Sequence, residues 1–358
     1  MNGSRRRGVV ALLSLALLAI GVVVGTQAYR YCVDYYWQEY LPESRGPGAP
    51  GYFYLDWRRD WSDDEELRAA TPDGPIRTPR AVEAIPGEWR YDPISVIQTG
   101  LSLHDQILDE LHDGTRRLSA DGRPTEWAGG EAPEFDRFEV LNAQLDWLHA
   151  HAEWLPDSVA VWPVPWVAER YGLEPPWYSA LSQGQGISLL VRTAQWGRPE
   201  DLVLAEAAVR SLLESDLSIV IRDARGVRFL EEFPVESRPE VLNGCLLAWL
   251  GLWDYARATG DAQLRTECLE LLDRIETQVP KYELTRSGLI GWTRYDLETT
   301  LPTSPTYQEL HAALARALAE ETGRAFWEVR AVEWRRAAAS MTQRLRVFGL
   351  VAWAKVWG

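Results

Sequence analysis

Three short clusters of aromatic and polar residues stand just ahead of apolar helical stretches. They are Trp177-Tyr178-Ser179, Glu232-Phe233-Pro234 followed by Asn243, and Tyr295 followed by Tyr307. Hydroxyl, carboxyl and amide groups gathered at such positions are where binding and proton-transfer chemistry is expected. His311 falls one turn after Tyr307 and shares its helix face. It can be read as a functional group beside Tyr307 or as a core histidine bonded to a backbone carbonyl. His149 and His151 are two apart and point to different faces, and His104 and His112 read as surface residues near a helix end.

Other chemistries are absent from the sequence. It has no nucleophile elbow, no phosphate-cradling glycine loop and no His, Cys and Asp spacing suited to a metal. No cofactor is expected. The three cysteines, Cys32, Cys245 and Cys268, are too widely spaced for a disulfide framework or a zinc cluster. A net charge of −15 excludes a general nucleic-acid-binding surface. The 18 Trp against 7 Phe read first as core packing and second as sugar-stacking platforms.

The elements that must position these clusters repeat. Gly184 to Arg192, the turn Trp196-Gly197-Arg198-Pro199, and Leu202 to Leu212 form one helix–turn–helix unit. Leu242 to Arg257, Thr259-Gly260-Asp261 and Leu264 to Val279 form the next, and Tyr307 to Glu320, Thr322-Gly323-Arg324 and Phe326 to Ala337 a third. Ile94 to Leu111 and Phe138 to Leu155 read as degraded copies. Glycine supplies the left-handed cap between the two helices of each unit. The first helix of the clearest pair is almost unrelievedly apolar (Cys245 to Leu250), whereas the second, Glu267 to Asp273, is amphipathic. Apolar inner helices ringed by amphipathic outer ones predict an all-α fold, an α/α toroid over 91–358, with the cleft at one mouth.

Ahead of this domain, Arg5, Arg6 and Arg7 precede an uncharged apolar run over 8–29, long enough to cross a bilayer. The expected arrangement is a cytoplasmic tail over 1–7, a single transmembrane helix over 8–29 and the catalytic domain outside the cytoplasm. The same run could instead be a cleaved signal that leaves a secreted protein. Residues 30–90 read as a linker rich in Pro and Gly, then an aromatic segment around Tyr52-Phe53-Tyr54-Leu55-Asp56-Trp57 that forms a short hairpin over the domain. The C-terminal run Val347 to Trp353 is too short to span and reads as a last packed helix or a membrane-surface contact.

Residues 89–330 resemble the glucuronyl C5-epimerase family, which converts D-glucuronate to L-iduronate within heparan-type polysaccharides. The resemblance is carried by Arg90-Tyr91-Asp92-Pro93-Ile94 with Ile97-Gln98-Thr99-Gly100-Leu101, and by Pro176-Trp177-Tyr178-Ser179-Ala180-Leu181-Ser182-Gln183-Gly184-Gln185. Further on come Glu231-Glu232-Phe233-Pro234 leading to Val241-Leu242-Asn243-Gly244, then Tyr295-Asp296-Leu297, and Ser304-Pro305-Thr306-Tyr307 with His311. The resemblance implies the same helical toroid. It implies Tyr295 and Tyr307 as the acid/base pair, with Glu232 orienting a tyrosine or joining the proton relay. Tyr178, Ser179, Gln183, Gln185, Asn243, Arg294 and His311 are the expected substrate-binding residues. The chain departs from the family in three places: Phe233 stands where Tyr is usual, Glu298 where an Arg is usual, and Gln308 where a His is usual.

The implied reaction sets physical requirements. The C5 hydrogen lies α to a carboxylate, so its removal develops charge that the site must neutralise. Inversion needs one proton-transfer group on each face of the ring, and a tyrosine serves if cations bring its pKa down from about 10. Arg192, Arg228 and Arg294 are the candidate cations. Two other readings use the same residues: a uronate lyase, which expels the C4 oxygen after the same first step, and a glycan-binding or assembly protein without turnover. The expected partners are an acidic polysaccharide, the membrane through residues 8–29 and, as an open possibility, a second copy of the chain.

Overall fold

Side-chain caps and left-handed glycines set the helix boundaries. The computed structural model describes residues 92–130, 136–285 and 288–357, together with Tyr52, Leu55, 83–85 and 88–89. Eight helices form four consecutive hairpins: α1 (Pro93–Asp113) with α2 (Arg137–His151), and α3 (Ala180–Thr193) with α4 (Glu200–Leu213). They continue as α5 (Leu242–Thr259) with α6 (Ala262–Gln278), and α7 (Pro305–Thr322) with α8 (Ala325–Ala339), and α9 (Met341–Trp357) follows. Asp92, Asp136, Asp261 and Ser304 each accept a backbone N–H at the start of α1, α2, α6 and α7. Gly114, Gly260 and Gly323, with φ of 81°, 72° and 67°, end α1, α5 and α7 in a conformation that disfavours other residues.

The odd-numbered helices α1, α3, α5 and α7 pack side by side in chain order, and each even-numbered one covers its predecessor. In α5 every residue from Leu242 to Asp254 is buried, whereas α6 buries only the stripe Leu264, Cys268, Leu271, Leu272 and Ile275. The contact between α3 and α5 is so close that glycine is required on both sides. A Cβ on Gly184 would stand 2.3 Å from Ala248 Cα, and one on Gly251 would stand 2.0 Å from Gly184 O. Tryptophan fills much of the rest. Trp162, Trp249, Trp292, Trp327 and Trp334 are fully buried, and Trp162 and Trp249 donate to Leu148 O and Cys268 O at 2.9 and 2.7 Å.

Tyr52 and Leu55 belong to this core, far from the domain in sequence. Tyr52 N donates to Asp105 Oδ1 at 2.7 Å, Gln185 Nε2 donates to Tyr52 OH at 3.4 Å, and the Arg192 guanidinium lies 5.1 Å from the ring centroid. Tyr52 is therefore held between α1 and α3. The rest of that predicted hairpin, and the Pro/Gly linker before it, lie outside the described residues.

The expected fold class, an all-α toroid bearing one transmembrane helix, needs correction. Strand pairing is not confined to the N-terminal segment. Among the described residues four two-stranded antiparallel hairpins occur: β1 (Glu83–Ile85) with β2 (Glu88–Trp89), β3 (Arg116–Arg117) with β4 (Glu126–Trp127), β5 (Glu153–Leu155) with β6 (Val159–Val161), and β7 (Val220–Asp223) with β8 (Gly226–Leu230). The second sits between the two helices of the first helical hairpin, and the last two where the chain travels from an outer helix to the next inner one. Helices α1 and α7 do not pack closely on each other. Among the described residues no helix is long and apolar enough to cross a membrane. Even α5, the most apolar, carries Asn243, Asp254 and Arg257. The run over 8–29, expected to span the bilayer, lies outside the described residues.

Gly184→Ala is expected to lower the unfolding free energy of the full chain by about 1–3 kcal/mol, because neither helix can retreat without opening the core. Tyr52→Ala is expected to cost about 3 kcal/mol as a cavity in the same core. Urea unfolding followed by circular dichroism checks both, and an unchanged midpoint for Tyr52→Ala would show that the segment only rests on the surface.

Candidate active site

The first wall of the site is built by the end of β8. Leu230 continues into Glu231, whose N donates to Ile219 O at 2.7 Å. The Glu231 carboxylate accepts from Glu240 N at 2.7 Å and from Phe233 N at 3.3 Å, which folds the 231–241 loop back on itself. Arg228 grips Glu240 through two bonds of 2.9 and 2.7 Å, and Tyr282 OH donates to Glu240 O. This loop drops Glu232 onto the first turn of α5. A Cβ on Gly244 would stand 2.4 Å from Glu232 Oε2, so only glycine leaves room for the carboxyl group there.

The second wall comes from the segment before α7 and the first turn of that helix. Gln308 Oε1 accepts from Thr293 N at 2.8 Å and from Thr293 Oγ1 at 2.9 Å, and His311 Nδ1 lies 2.8 Å from the same hydroxyl. Two residues on, Tyr295 is tied to α5 by the Leu242 N bond to its carbonyl at 3.2 Å. Its hydroxyl donates to Glu232 Oε1 at 3.4 Å. The Tyr307 ring meets the Tyr295 ring edge-on, with centroids 4.8 Å apart.

The third wall is the irregular stretch between β6 and α3, folded back by bridges between Val164 and Trp177 and between Ala168 and Leu173. It presents Arg170 and Tyr171. Arg170 Nη2 and Tyr171 OH both donate to Asp296 Oδ2, at 2.5 and 2.8 Å, and Asp296 is fully buried. The Tyr171 ring stacks on Phe233 at 4.2 Å, and the Arg170 guanidinium lies 5.4 Å from the Tyr295 ring centroid. Between the walls lies a cleft of about 700 Å³, lined by Arg170, Tyr171, Phe233, Tyr295 and Tyr307 and by the 299–304 segment. Arg170 is the one cation among the described residues that line it.

The electrostatics follow from burial. Glu232 is pushed up to about 8 by desolvation, with the neighbouring Glu231 and then Asp296 adding to the rise, while the Tyr295 hydroxyl works against it. Glu231 is pushed up to about 7 by burial despite its backbone hydrogen bonds. Burial, and then the charge on Glu232, raise the Tyr295 hydroxyl well above its ordinary value, which Arg170 opposes. At neutral pH the Glu232–Tyr295 pair therefore holds its protons. An acid that titrates near 8 can both give and take a proton close to working pH.

Of the residues expected from sequence, Glu232, Tyr295 and Tyr307 come together in this way. The expected substrate-binding set lies elsewhere, and none of its members lines the cleft. Tyr178 donates to Glu153 Oε2 at 3.0 Å, which helps burial push its hydroxyl up to about 12. Ser179 precedes α3; Gln183 is buried within that helix, and Gln185 there accepts from Gln98 at 3.0 Å. Asn243 is buried in the first turn of α5, and Arg294 donates to Thr299 O at 3.4 Å. His311 is fully buried behind Thr293, and desolvation lowers it to about 3, so it is neutral. The expected cations are also placed elsewhere, Arg192 on Asp254 at 2.6 Å and Arg228 on Glu240. Glu298 is exposed. Arg170 and Tyr171 were missed by sequence reasoning; the only local signal is an Arg-Tyr pair shortly ahead of the Trp177 cluster.

Two tyrosines thus line one cleft of a domain of helical hairpins, with a buried glutamate bonded to one of them. The chain belongs to the D-glucuronyl C5-epimerase family: residues 156–336 match the family described as D-glucuronyl C5-epimerase C-terminus. It is 29% identical over 198 residues to the D-glucuronyl C5-epimerase of Caenorhabditis elegans, a match covering 48% of this chain and 31% of that one. The chain thus matches about a third of the relative's length, and the family supports an epimerase function.

Folded Glu232 keeps its proton up to about pH 8, whereas an unfolded glutamate loses it near 4.5. The folded chain therefore binds more protons in that window, and its stability must fall as pH rises through it. The urea midpoint is expected to be lower at about pH 8 than at about pH 5, and Glu232→Gln is expected to flatten that decline. An identical slope in wild type and variant would show that Glu232 is ionised in the folded chain.

Proposed function

We propose that the chain inverts C5 of D-glucuronate residues to L-iduronate in an acidic polysaccharide. The observation that carries this reading is Tyr295, bonded to Glu232, edge-on to Tyr307 and beneath Arg170 in a single cleft. Abstraction of the C5 proton moves its electron pair into the uronate carboxylate as an enediolate, and a proton returned from the opposite face completes the inversion. Tyr295 and Tyr307 are the acid/base groups. The acting form is the fraction in which Glu232 is ionised, which its titration near 8 leaves available near neutral pH: Glu232 takes the Tyr295 hydroxyl proton as Tyr295 takes the one from C5, Tyr307 gives its proton to the opposite face, and exchange with water resets both groups. Arg170 stands where the uronate carboxylate is neutralised as charge develops, replacing the Arg that this chain lacks at Glu298. Its guanidinium, half exposed and ion-paired with the buried Asp296, is the group that a polyanion would meet in a chain of net charge −15. Arg5 to Arg7 ahead of the apolar run support a location of the domain outside the cytoplasm.

Incubating the full chain with unsulfated and N-sulfated glucuronate polymers in D₂O tests this reading. Deuterium at C5 together with iduronate signals is the expected result. Tyr295→Phe is expected to reduce the rate about 10²–10⁴-fold with little change in KM. Arg170→Gln is expected to reduce kcat/KM about 10²–10³-fold, and Gly244→Ala, which displaces Glu232, to cost about 10²-fold in rate. Exchange without iduronate but with rising ultraviolet absorbance would make the chain a lyase. Binding without exchange on either polymer would make it a glycan-binding protein.

A further inference from the structure

The last helix exposes an apolar strip in a region of unusual charge. Met341, Leu345, Leu350 and Trp353 of α9 are 56, 54, 42 and 67% exposed. At helical spacing these four occupy one side, with Arg346 among them. The other side packs Val347 and Val351 against Leu284, Leu289, Trp292 and Ala337, in a small cluster separate from the main core. The exposed strip continues into the neighbouring turn, where Ile290 is 69% exposed. Gln343 Nε2 donates to Ile290 O at 3.3 Å and Arg346 Nη1 to Gly288 O at 3.2 Å, which hold that turn beside the helix.

Charge singles out the same region. From Trp334 to the C-terminus there are five cations, Arg335, Arg336, Arg344, Arg346 and Lys355, and no acid, in a chain of net charge −15. Arg344 turns inward to Glu309 at 2.6 Å. Arg335, Arg336 and Arg346 are exposed, the first two at the end of α8 just before α9 begins. An acidic glycan could pair with these arginines but would leave Ile290, Leu345 and Leu350 in water. A bilayer with anionic head groups meets both needs: it takes aliphatic and indole side chains at the acyl boundary and guanidinium groups at the phosphates.

We propose that the exposed face of α9, with the 288–290 turn and the end of α8, is a docking surface for an anionic lipid membrane. The surface stands apart from the catalytic reading of the cleft, although Val351 on the buried side of α9 also lines that cleft. Docking would therefore fix how the cleft faces the membrane. Each cation near an anionic leaflet contributes about a fivefold gain in partitioning, so losing three removes about a hundredfold and reversing three removes more.

Hydrogen exchange of the full chain, followed by mass spectrometry, tests the proposal region by region and so separates α9 from the apolar run over 8–29. The comparison uses phosphatidylcholine vesicles and vesicles with roughly one-third phosphatidylserine. Slower exchange over 341–357 with the anionic vesicles alone, lost at high salt, is the expected result. Arg335→Glu, Arg336→Glu and Arg346→Glu together, and separately Leu345→Ser with Trp353→Ser, are expected to abolish that slowing while exchange in α3 and α5 stays unchanged. Three results would overturn the proposal: equal exchange with both vesicles, protection by a soluble glucuronate polymer in their place, or protection that grows with protein concentration without lipid.

Discussion

The site depends on a carboxyl group placed where water cannot solvate it. Glu232 is 7% exposed, sits on the glycine of the first turn of α5, and has one oxygen directed to the Tyr295 hydroxyl. Burial makes the charged form costly, and the adjacent Glu231 makes it costlier. A group that would otherwise be a spectator anion near neutral pH becomes a proton carrier. Tyr295 gains its chemical meaning from that bond, and Tyr307 reaches the pair through the edge of the Tyr295 ring.

Much of the fold serves to hold that group still. The glycine-mediated contact between α3 and α5 fixes the start of α5, and β7 with β8 delivers the 231–241 loop to it. Glu231, Arg228 and Tyr282 then pin the loop, while Gln308 and His311 hold Thr293 so that Tyr295 projects toward Glu232. His311 illustrates the division of labour: a fully buried neutral imidazole that positions a backbone segment leading to the cleft. Asp296 does the same from the other side, joining Arg170 and Tyr171 to the residue beside Tyr295.

The helical hairpins were legible in the sequence because their signals are local. An apolar period, a left-handed glycine and a capping Asp or Ser lie within a few residues of one another. Inner helices α3, α5 and α7 begin at 180, 242 and 305, which is the repeat read from the glycine turns. Glu232 and Tyr295 were legible because each stands in a short motif ahead of an inner helix, and Tyr307 because its motif opens one. Arg170 was not, because its meaning comes from Asp296, 126 residues further along the chain. Tyr52 was hidden for the same reason, being bonded to Asp105 across 53 residues. Gln183, Gln185 and Asn243, expected at the substrate, are buried and do not line the described cleft. A polar residue inside an apolar run looks like a ligand contact, yet in a tightly packed inner helix its side chain is buried within the fold. Phe233 keeps its place in the cleft and stacks on Tyr171, so a phenol hydroxyl remains on that side, supplied by a different segment.

The titration of Glu232 itself tests the central claim most directly. Carbon-13 labelling of glutamate carboxyl groups, with the Glu232 resonance assigned by its loss in Glu232→Gln, gives that titration by NMR. The account predicts a midpoint near 8 that moves higher in Tyr295→Phe, because the tyrosine hydrogen bond pulls it down. A midpoint near the ordinary 4.5, indifferent to Tyr295→Phe, would contradict it.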